Sequence, residues 1–346
     1  MVKVMIVDDS AVARSTLREV FAGSEDIQVI GSAPDPLIAF PIMYEGWPDV
    51  IVSDIEMPRM DGIRFIRRIM TERPTPVIAL TSTNDLGVHV ATEAIKEGVF
   101  SLFPKPPVDV SNFIRGHVDK LVSMVRAAHA AQAKNLFSRE AFKLPAKSLI
   151  GGERAMGTQE KVVAIGISNG GIQALQYLLS SLPEDSNGIV IAHHLPSEFM
   201  RKLSHQLNKA SRLQVKIAED GDVVEPGQVF LAPGGKQCCV NMVDGRYQIA
   251  LLEARSKNDY CPSIDMLFNS LAQNAGKNAI GILMTGFGAD GAVGLKALAD
   301  SGAETIAQDE ASSVVFGMPR EAIKLGAAKH VVSLYDLPEH IYQYCH

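Results

Sequence analysis

The feature that most constrains this chain is an alternation that occurs twice: short, almost wholly apolar runs of strand length, separated by stretches of helical periodicity. Lys3–Val7, Ile27–Ser32, Val50–Ser53, Val77–Leu80 and Val99–Phe103 read as strands, with helices such as Ala11–Ala22 and Gly62–Met70 between them. Strands joined through helices run parallel, and strands apolar on both faces need cover on both sides, so a doubly wound α/β sheet of (βα)5 form is expected. The alternation resumes with strands at Val162–Ile167, Gly188–His193, Leu213–Ala218, Ala279–Met284 and Glu304–Ala307. Helices are expected at Gly170–Leu182, Glu198–Ala210, Ile264–Ala275, Ala292–Ser301 and Pro319–Leu325. Gln237–Leu252 carries Asp244-Gly245 at its centre, a hairpin turn signal. This second half therefore reads as a Rossmann-like doubly wound α/β domain with a β-hairpin. At 346 residues the chain exceeds what one core supports. Phe113–Ala131 fits an amphipathic helix, and Gln132–Gly157 loses periodicity. We draw domains at residues 1–120 and 158–346, with a linker at 121–157.

In a doubly wound sheet, ligands bind at the carboxyl ends of the strands. Asp8 and Asp9 follow the first strand, Asp54 the third, Thr81 the fourth and Lys105 the fifth. Three carboxylates in one pocket are costly without a cation, and hard oxygen ligands select Mg²⁺. A carboxylate that accepts a phosphoryl group needs such a set: a metal and Lys105 on the phosphoryl oxygens, and the Thr81 hydroxyl to hydrogen-bond to the new group. Any one of these aspartates alone also fits a turn or a helix cap.

In the second half, Gly166-Ile167-Ser168-Asn169-Gly170-Gly171 follows a strand and opens a helix, the context that gives a G-x-S-x-G motif meaning. The stretch also fits a phosphate-binding loop or an N-cap. A nucleophilic serine needs a base and an orienting acid. His193 and His194 end the next expected strand, and side-chain alternation lets only one of them face Ser168. Asp290, in a glycine-rich turn after a later strand, is the acid candidate; taken by itself it fits a helix N-cap better. The order Ser, His, Asp differs from that of α/β-hydrolases, so a different, convergent fold is expected.

Charge narrows the partners. Residues 1–110 hold 10 Lys/Arg against 16 Asp/Glu, residues 111–159 hold 8 against 3, and residues 160–346 hold 15 against 20. An acidic second domain argues against a DNA-binding output, which needs a basic face. Apolar runs are too short to span a membrane, and the N-terminus has no export signal, so a cytoplasmic protein without membrane insertion is expected. Cys238, Cys239, Cys261 and Cys345 form no C-x-x-C pair and read as small apolar residues.

Val7-Asp8-Asp9-Ser10, the segment from Ser53-Asp54-Ile55-Glu56 to Asp61-Gly62, Thr81-Ser82 and Phe103-Pro104-Lys105-Pro106 closely resemble response-regulator receiver domains. The resemblance implies that Asp54 is the phosphoacceptor and that Asp8, Asp9, Asp54 and the backbone carbonyl of Glu56 hold Mg²⁺. Thr81 and Lys105 would be the switch residues. Leu102 stands where receivers usually carry an aromatic. The receiver is followed by G-x-S-x-G-G, His194-Leu195-Pro196, Ala232-Pro233-Gly234-Gly235, Pro262-Ser263-Ile264-Asp265, Met284-Thr285-Gly286-Phe287-Gly288-Ala289-Asp290-Gly291 and the run from Ala307 to Arg320. This arrangement resembles the bacterial chemotaxis protein-glutamate methylesterases, the CheB family. The resemblance implies Ser168 as nucleophile, His194 as general base and Asp290 as orienting carboxylate. The Phe287 N–H is an oxyanion-donor candidate, and the Asn169 amide another.

This chain departs from the family pattern at Asn169, where threonine is common, at Tyr260-Cys261, where His-Arg is usual, and at His193, often glutamine. The implied activity is phosphorylation-activated hydrolysis of glutamate γ-methyl esters on chemoreceptors to glutamate and methanol, with deamidation of receptor glutamines and no cofactor for the ester step. Methyl-accepting receptors and a histidine kinase are the implied partners of a monomer. The rival reading is a receiver-controlled binding module that has lost catalysis.

Overall fold

The computed structural model describes residues 1–57, 62–82, 84–106, 108–133, 161–254 and 260–345. They fall into two compact units, one within Met1–Ala141 and one within Phe142–His346.

The first unit alternates as expected: β1 (Val2–Val7), α1 (Ala11–Ala22), β2 (Ile27–Ala33), α2 (Pro36–Glu45), β3 (Val50–Asp54), α3 (Gly62–Glu72), β4 (Val77–Thr81), α4 (Asp85–Lys96), β5 (Ser101–Pro104), α5 (Val110–Gly116) and α6 (Val118–Ala133). The strands pair in parallel in the order β2-β1-β3-β4-β5. The chain reverses its direction of winding between β1 and β3, and the crevice at their carboxyl ends is where such sheets bind ligands. Asp54 and Thr81 are the last residues of β3 and β4, so each strand runs one residue further than the sequence reading, which ended them at Ser53 and Leu80. Asp35 and Asn84 cap α2 and α4 by accepting from the N–H groups of Ile38 and Gly87.

The boundary drawn at residue 120 needs correction. The helix expected at Phe113–Ala131 is two helices, broken at His117, and the second continues to Ala133. Leu121, Met124, Val125, Ala128 and Ala131 of α6 are buried, and the helix packs on the sheet of the first unit. A stripe at three- and four-residue spacing is what keeps α6 from being a linker. The rest of the expected linker, 134–157, lies outside the described residues, as do Pro58–Asp61 of the receiver-like motif.

The second unit comprises β6 (Val162–Ile167), α7 (Gly171–Ser181), β7 (Ile189–His193), α8 (Ser197–Ala210), β8 (Gln214–Ile217), β9 (Gln228–Leu231), β10 (Lys236–Val243), β11 (Arg246–Glu253), α9 (Ile264–Asn274), β12 (Ala279–Leu283), α10 (Ala292–Asp300), β13 (Glu304–Gln308), α11 (Met318–Lys324), β14 (His330–Val332) and α12 (Leu337–Cys345). Seven strands form a parallel sheet in the order β14-β13-β12-β6-β7-β9-β8. β10 and β11 form the expected hairpin, with Val243 paired to Arg246 and the two-residue turn Asp244-Gly245 at φ 50° and 79°. The central strands β6, β7 and β12 are buried throughout. Winding proceeds from β6 outward through β7 on one side and through β12 on the other, so the switch point lies at the carboxyl ends of β6 and β12.

Candidate active site

Ser168 is the first residue beyond β6. Its N–H donates to Thr285 O at 2.9 Å, and Met284 N–H donates to Gly166 O at 2.8 Å, so β6 and β12 stay tied past their ends. Two glycines make the approach possible. A Cβ on Gly286 would stand 2.7 Å from Ser168 Cβ, and Gly170 turns at φ +74° with Val314 side-chain atoms 2.4–3.0 Å from where its Cβ would be. The backbone thus turns sharply into α7 and leaves Ser168 only 6% exposed. Its hydroxyl donates to Asn169 Oδ1 at 3.3 Å.

β7 lies beside β6 with Ile167 opposite His193, so Ser168 and His194 leave neighbouring strands at the same level. The two histidines diverge as alternation requires. His193 is 4% exposed, with neither ring nitrogen hydrogen-bonded among the described residues. Burial, and secondarily the charge of His194, push its pKa down to about 3, which leaves it neutral and outside any proton transfer near pH 7. His194 instead presents Nε2 to Asp290 Oδ2 at 2.7 Å. The carboxylate holds Nε2, so the nitrogen left to accept a proton is Nδ1.

Asp290 does not cap its own helix, α10, whose N-cap is Gly291. It reaches across to the start of α9, where it accepts from Ile264 N at 2.8 Å, Asp265 N at 3.1 Å and Ser263 Oγ at 3.0 Å. Asp265 makes the reciprocal contact, accepting from Gly294 N of α10 at 2.6 Å. Burial opposes the charge on Asp290. The hydrogen bond and charge of His194 and the N–H groups of Ile264 and Asp265 outweigh burial, and the carboxyl is held below its usual range.

The loop Thr285–Gly288 is pinned from beneath. Gly286 N donates to Val315 O, Met318 N to Gly286 O, and Thr285 N to the buried Gln308 Oε1. Among the described residues no hydrogen bond uses the Phe287 N–H, the next amide along from the glycine packed on Ser168. Asn169 differs from expectation: its side chain turns an amide oxygen, an acceptor, toward the Ser168 hydroxyl, whereas an oxyanion calls for a donor. No Ser168–His194 hydrogen bond is formed among the described residues, a looseness common before substrate binds.

Other residues complete the surroundings, among them Tyr260, which the sequence marks only as a departure from the family pattern. Tyr260 stacks on His194, with ring centroids 4.5 Å apart and planes 15° apart. Gln237 of β10 donates to Tyr260 O and accepts from Ser263 N, each at 2.7 Å. The Pro262–Asp265 motif hinted at Ser263, while no local signal marked Gln237 or Gln308.

In the first unit, the side chains read as an acidic pocket do converge. Oxygens of Asp8, Asp9 and Asp54 lie within 4.8 Å of one another. Lys105 Nζ contacts Asp8 at 3.3 Å and also pairs with Asp54. Burial raises the pKa of Asp8, helped by the Asp54 charge and only partly offset by Lys105. Burial acts to lower that of Lys105, yet the charges of Asp54 and Asp8 outweigh it and raise it. Such crowded, hard-oxygen carboxylates are the donor set a small divalent cation takes. Glu56 N–H holds Asp54 Oδ1 at 2.8 Å. The Glu56 side chain, which the sequence did not single out, accepts from Thr81 Oγ1 at 3.2 Å, Ser82 Oγ at 2.7 Å and Ser82 N at 2.5 Å. The Thr81 hydroxyl is therefore engaged by Glu56.

The comparisons with known proteins follow this division. The CheB methylesterase family matches residues 163–341, and the response regulator receiver domain matches residues 4–114. A "Protein-glutamate methylesterase/protein-glutamine glutaminase 1" of Pseudomonas savastanoi pv. phaseolicola is 43% identical over 350 residues, covering 98% of each chain. A "Protein-glutamate methylesterase/protein-glutamine glutaminase 2" of Chromobacterium violaceum is 43% identical over 345 residues, covering 96% of this chain and 97% of the other. The crystal structure of the Thermotoga maritima CheB methylesterase catalytic domain aligns with a TM-score of 0.52 at 33% identity, over 54% of this chain and 99% of that one. With half the chain inside the family's own pattern and relatives alike from end to end, the protein belongs to the CheB methylesterase family, its N-terminal part a response regulator receiver domain.

Proposed function

We propose that the protein hydrolyses glutamate γ-methyl esters on chemoreceptors, and deamidates receptor glutamines, under control of phosphorylation at Asp54. The observation that carries the reaction is the His194–Asp290 pair, which leaves its strand at the same level as Ser168 and is locked to the start of α9. Ser168 Oγ leaves Asn169, gives its proton to His194 Nδ1 and attacks the ester carbonyl. Asp290 stabilises the imidazolium, and the Phe287 N–H faces the oxyanion. His194 then protonates the departing methanol, activates a water, and the acyl-Ser168 bond is hydrolysed to glutamate. With a glutamine substrate, ammonia leaves in place of methanol. These steps are carried by side chains and a backbone amide of this chain.

Control falls to the receiver. Asp8, Asp9, Asp54 and the Glu56 carbonyl would hold Mg²⁺, which neutralises charge on phosphoryl oxygens. Lys105 neutralises the Asp54 side, and Thr81 exchanges Glu56 for the phosphoryl group. A histidine kinase is the natural phosphodonor. We place the protein in the cytoplasm as a monomer acting on the cytoplasmic helices of receptors; no helix among the described residues is long and apolar enough to cross a membrane.

One observation favours the rival reading of an inactive binding module: the Ser168 hydroxyl rests on Asn169. Methanol release from methylated receptor membranes decides between them. Activity that Ser168→Ala abolishes is the expected result; equal activity in that variant overturns the nucleophile, and none from the unaltered chain favours the module.

A further inference from the structure

The geometry assigns Tyr260 as a positioning residue for His194, an inference that rests on reading His194 as the base of Ser168. Three observations meet here. The phenol ring lies parallel to the imidazole, with centroids 4.5 Å apart and planes 15° apart. Its backbone is not loose, because Gln237, only 3% exposed, grips Tyr260 O with one end of its amide and Ser263 N with the other. Ser263 in turn donates to Asp290, so one buried amide sets both the ring on the face of His194 and a ligand of the carboxylate on its edge. The hydroxyl end points past the imidazole toward Gly288, 3.2 Å from where a Cβ there would stand, beside the candidate oxyanion loop.

The two grips do different things. A single hydrogen bond at Nε2 fixes where that edge of the ring sits but leaves the ring free to tilt about the bond. Nδ1 would then sweep away from Ser168. A parallel aromatic face opposes the tilt, since leaving it forfeits the stacking contact. The same face is electron-rich, and it gains most when His194 becomes an imidazolium, which happens as Ser168 attacks. The first effect preorganises the base and the second grows in the transition state, and neither adds a contact to substrate, so Tyr260 acts on kcat and leaves KM alone. Tyr260 is 52% exposed, and stability alone gives little reason to place a large aromatic there.

The test compares Tyr260→Phe, Tyr260→Leu and Tyr260→Ala in the full-length chain. One readout is the rate at which a fluorophosphonate labels Ser168, forming an Oγ–P bond as fluoride leaves and the hydroxyl proton passes to His194. The other is kcat and KM for methanol release from methylated receptor membranes. Leu refills much of the volume without an aromatic face; Phe restores the face without the hydroxyl. We expect Ala and Leu to lower the labelling rate and kcat by about fivefold to tenfold with KM unchanged, and Phe to retain the original rates. Unaltered rates in Leu, or a loss in Phe as large as in Ala, overturn the assignment. If Ala fails to fold, Phe against Leu decides alone. Labelling that persists in Ser168→Ala would instead bring down the underlying nucleophile, a failure distinct from that of Tyr260.

Discussion

Replacing Asp290 with Asn tests the core of the site in two ways. The carboxylate is buried and accepts from four donors: His194 Nε2, Ser263 Oγ, and the N–H groups of Ile264 and Asp265. An asparagine keeps one acceptor oxygen and turns an NH₂ toward the rest. If the NH₂ faces His194, it donates to Nε2 and forces the proton onto Nδ1, the nitrogen that accepts from Ser168 in the proposed reaction. A change of this kind costs about 10⁴-fold in kcat in a Ser-His-Asp protease. Oδ2 serves Ile264 N as well as His194, and Oδ1 serves Asp265 N, so in either orientation a buried N–H of α9 loses its acceptor at about 1–3 kcal/mol, and the helix N-terminus loses its anion at about 0.3–1 kcal/mol more. Either orientation sacrifices something. We therefore expect the Tm of the second unit to fall by roughly 3–12 °C, and kcat for methanol release to fall by about 10³–10⁴-fold with the NH₂ toward His194. Acid supplies a further check. The folded pKa of Asp290 lies below its ordinary value of 3.8, so its charge contributes stability that is present above that value and lost as pH falls through the folded one. The stability gap between the unaltered protein and Asp290→Asn should accordingly narrow below about pH 4 in calorimetric melts. Full kcat together with an unchanged Tm would refute this account of the carboxylate.

Other perturbations probe separate parts. Gly170→Ala forces an L side chain into φ +74° against Val314, and should lower stability by about 1–3 kcal/mol in thermal melts while slowing phosphonate labelling of Ser168. Glu56→Gln weakens the charge-assisted hold on Thr81 and Ser82, so phosphorylation of Asp54 by acetyl phosphate, followed by intact mass, should accelerate by about tenfold; an unchanged rate would mean that the Thr81 contact does not restrain the pocket. Asp54→Asn should remove any stimulation of methanol release by acetyl phosphate and Mg²⁺ while leaving the basal rate in place. Gln308→Ala strips the acceptor from Thr285 N and the donor from Ser312 O, and should destabilise the second unit by about 2–4 kcal/mol.

Much of this was legible where the chemistry is local. The Asp244-Gly245 turn demands positive φ at two successive residues and admits few alternatives, so the hairpin could be read directly. Asp8, Asp9, Asp54 and Lys105 were readable because strand ends in a parallel sheet deliver them to one edge whatever the details of packing. Elements held mainly by distant partners were harder. β9 and β14 are four and three residues long, without alternation of their own, and are strands because β7 and β13 offer them ladders. An amphipathic helix to Ala131 is legible, but the domain end at residue 120 falls too early because the composition beyond it resembles a linker, and only contact with the sheet assigns the stripe of α6 to the first unit.

The sequence by itself determined the two α/β units, the family, and which side chains stand at the strand ends, because periodicity, turn chemistry and motif spacing depend on neighbours along the chain. Tertiary structure alone decided how those side chains are used. It buried His193 with neither ring nitrogen hydrogen-bonded among the described residues, turned His194 Nε2 to Asp290, and sent Asp290 to the start of α9 in place of its own helix. It also set Tyr260 on the imidazole face and gave the Thr81 hydroxyl to Glu56. Each choice is a hydrogen bond or ring contact between residues some 25 to 100 positions apart, whose partners become neighbours only once the sheet has closed.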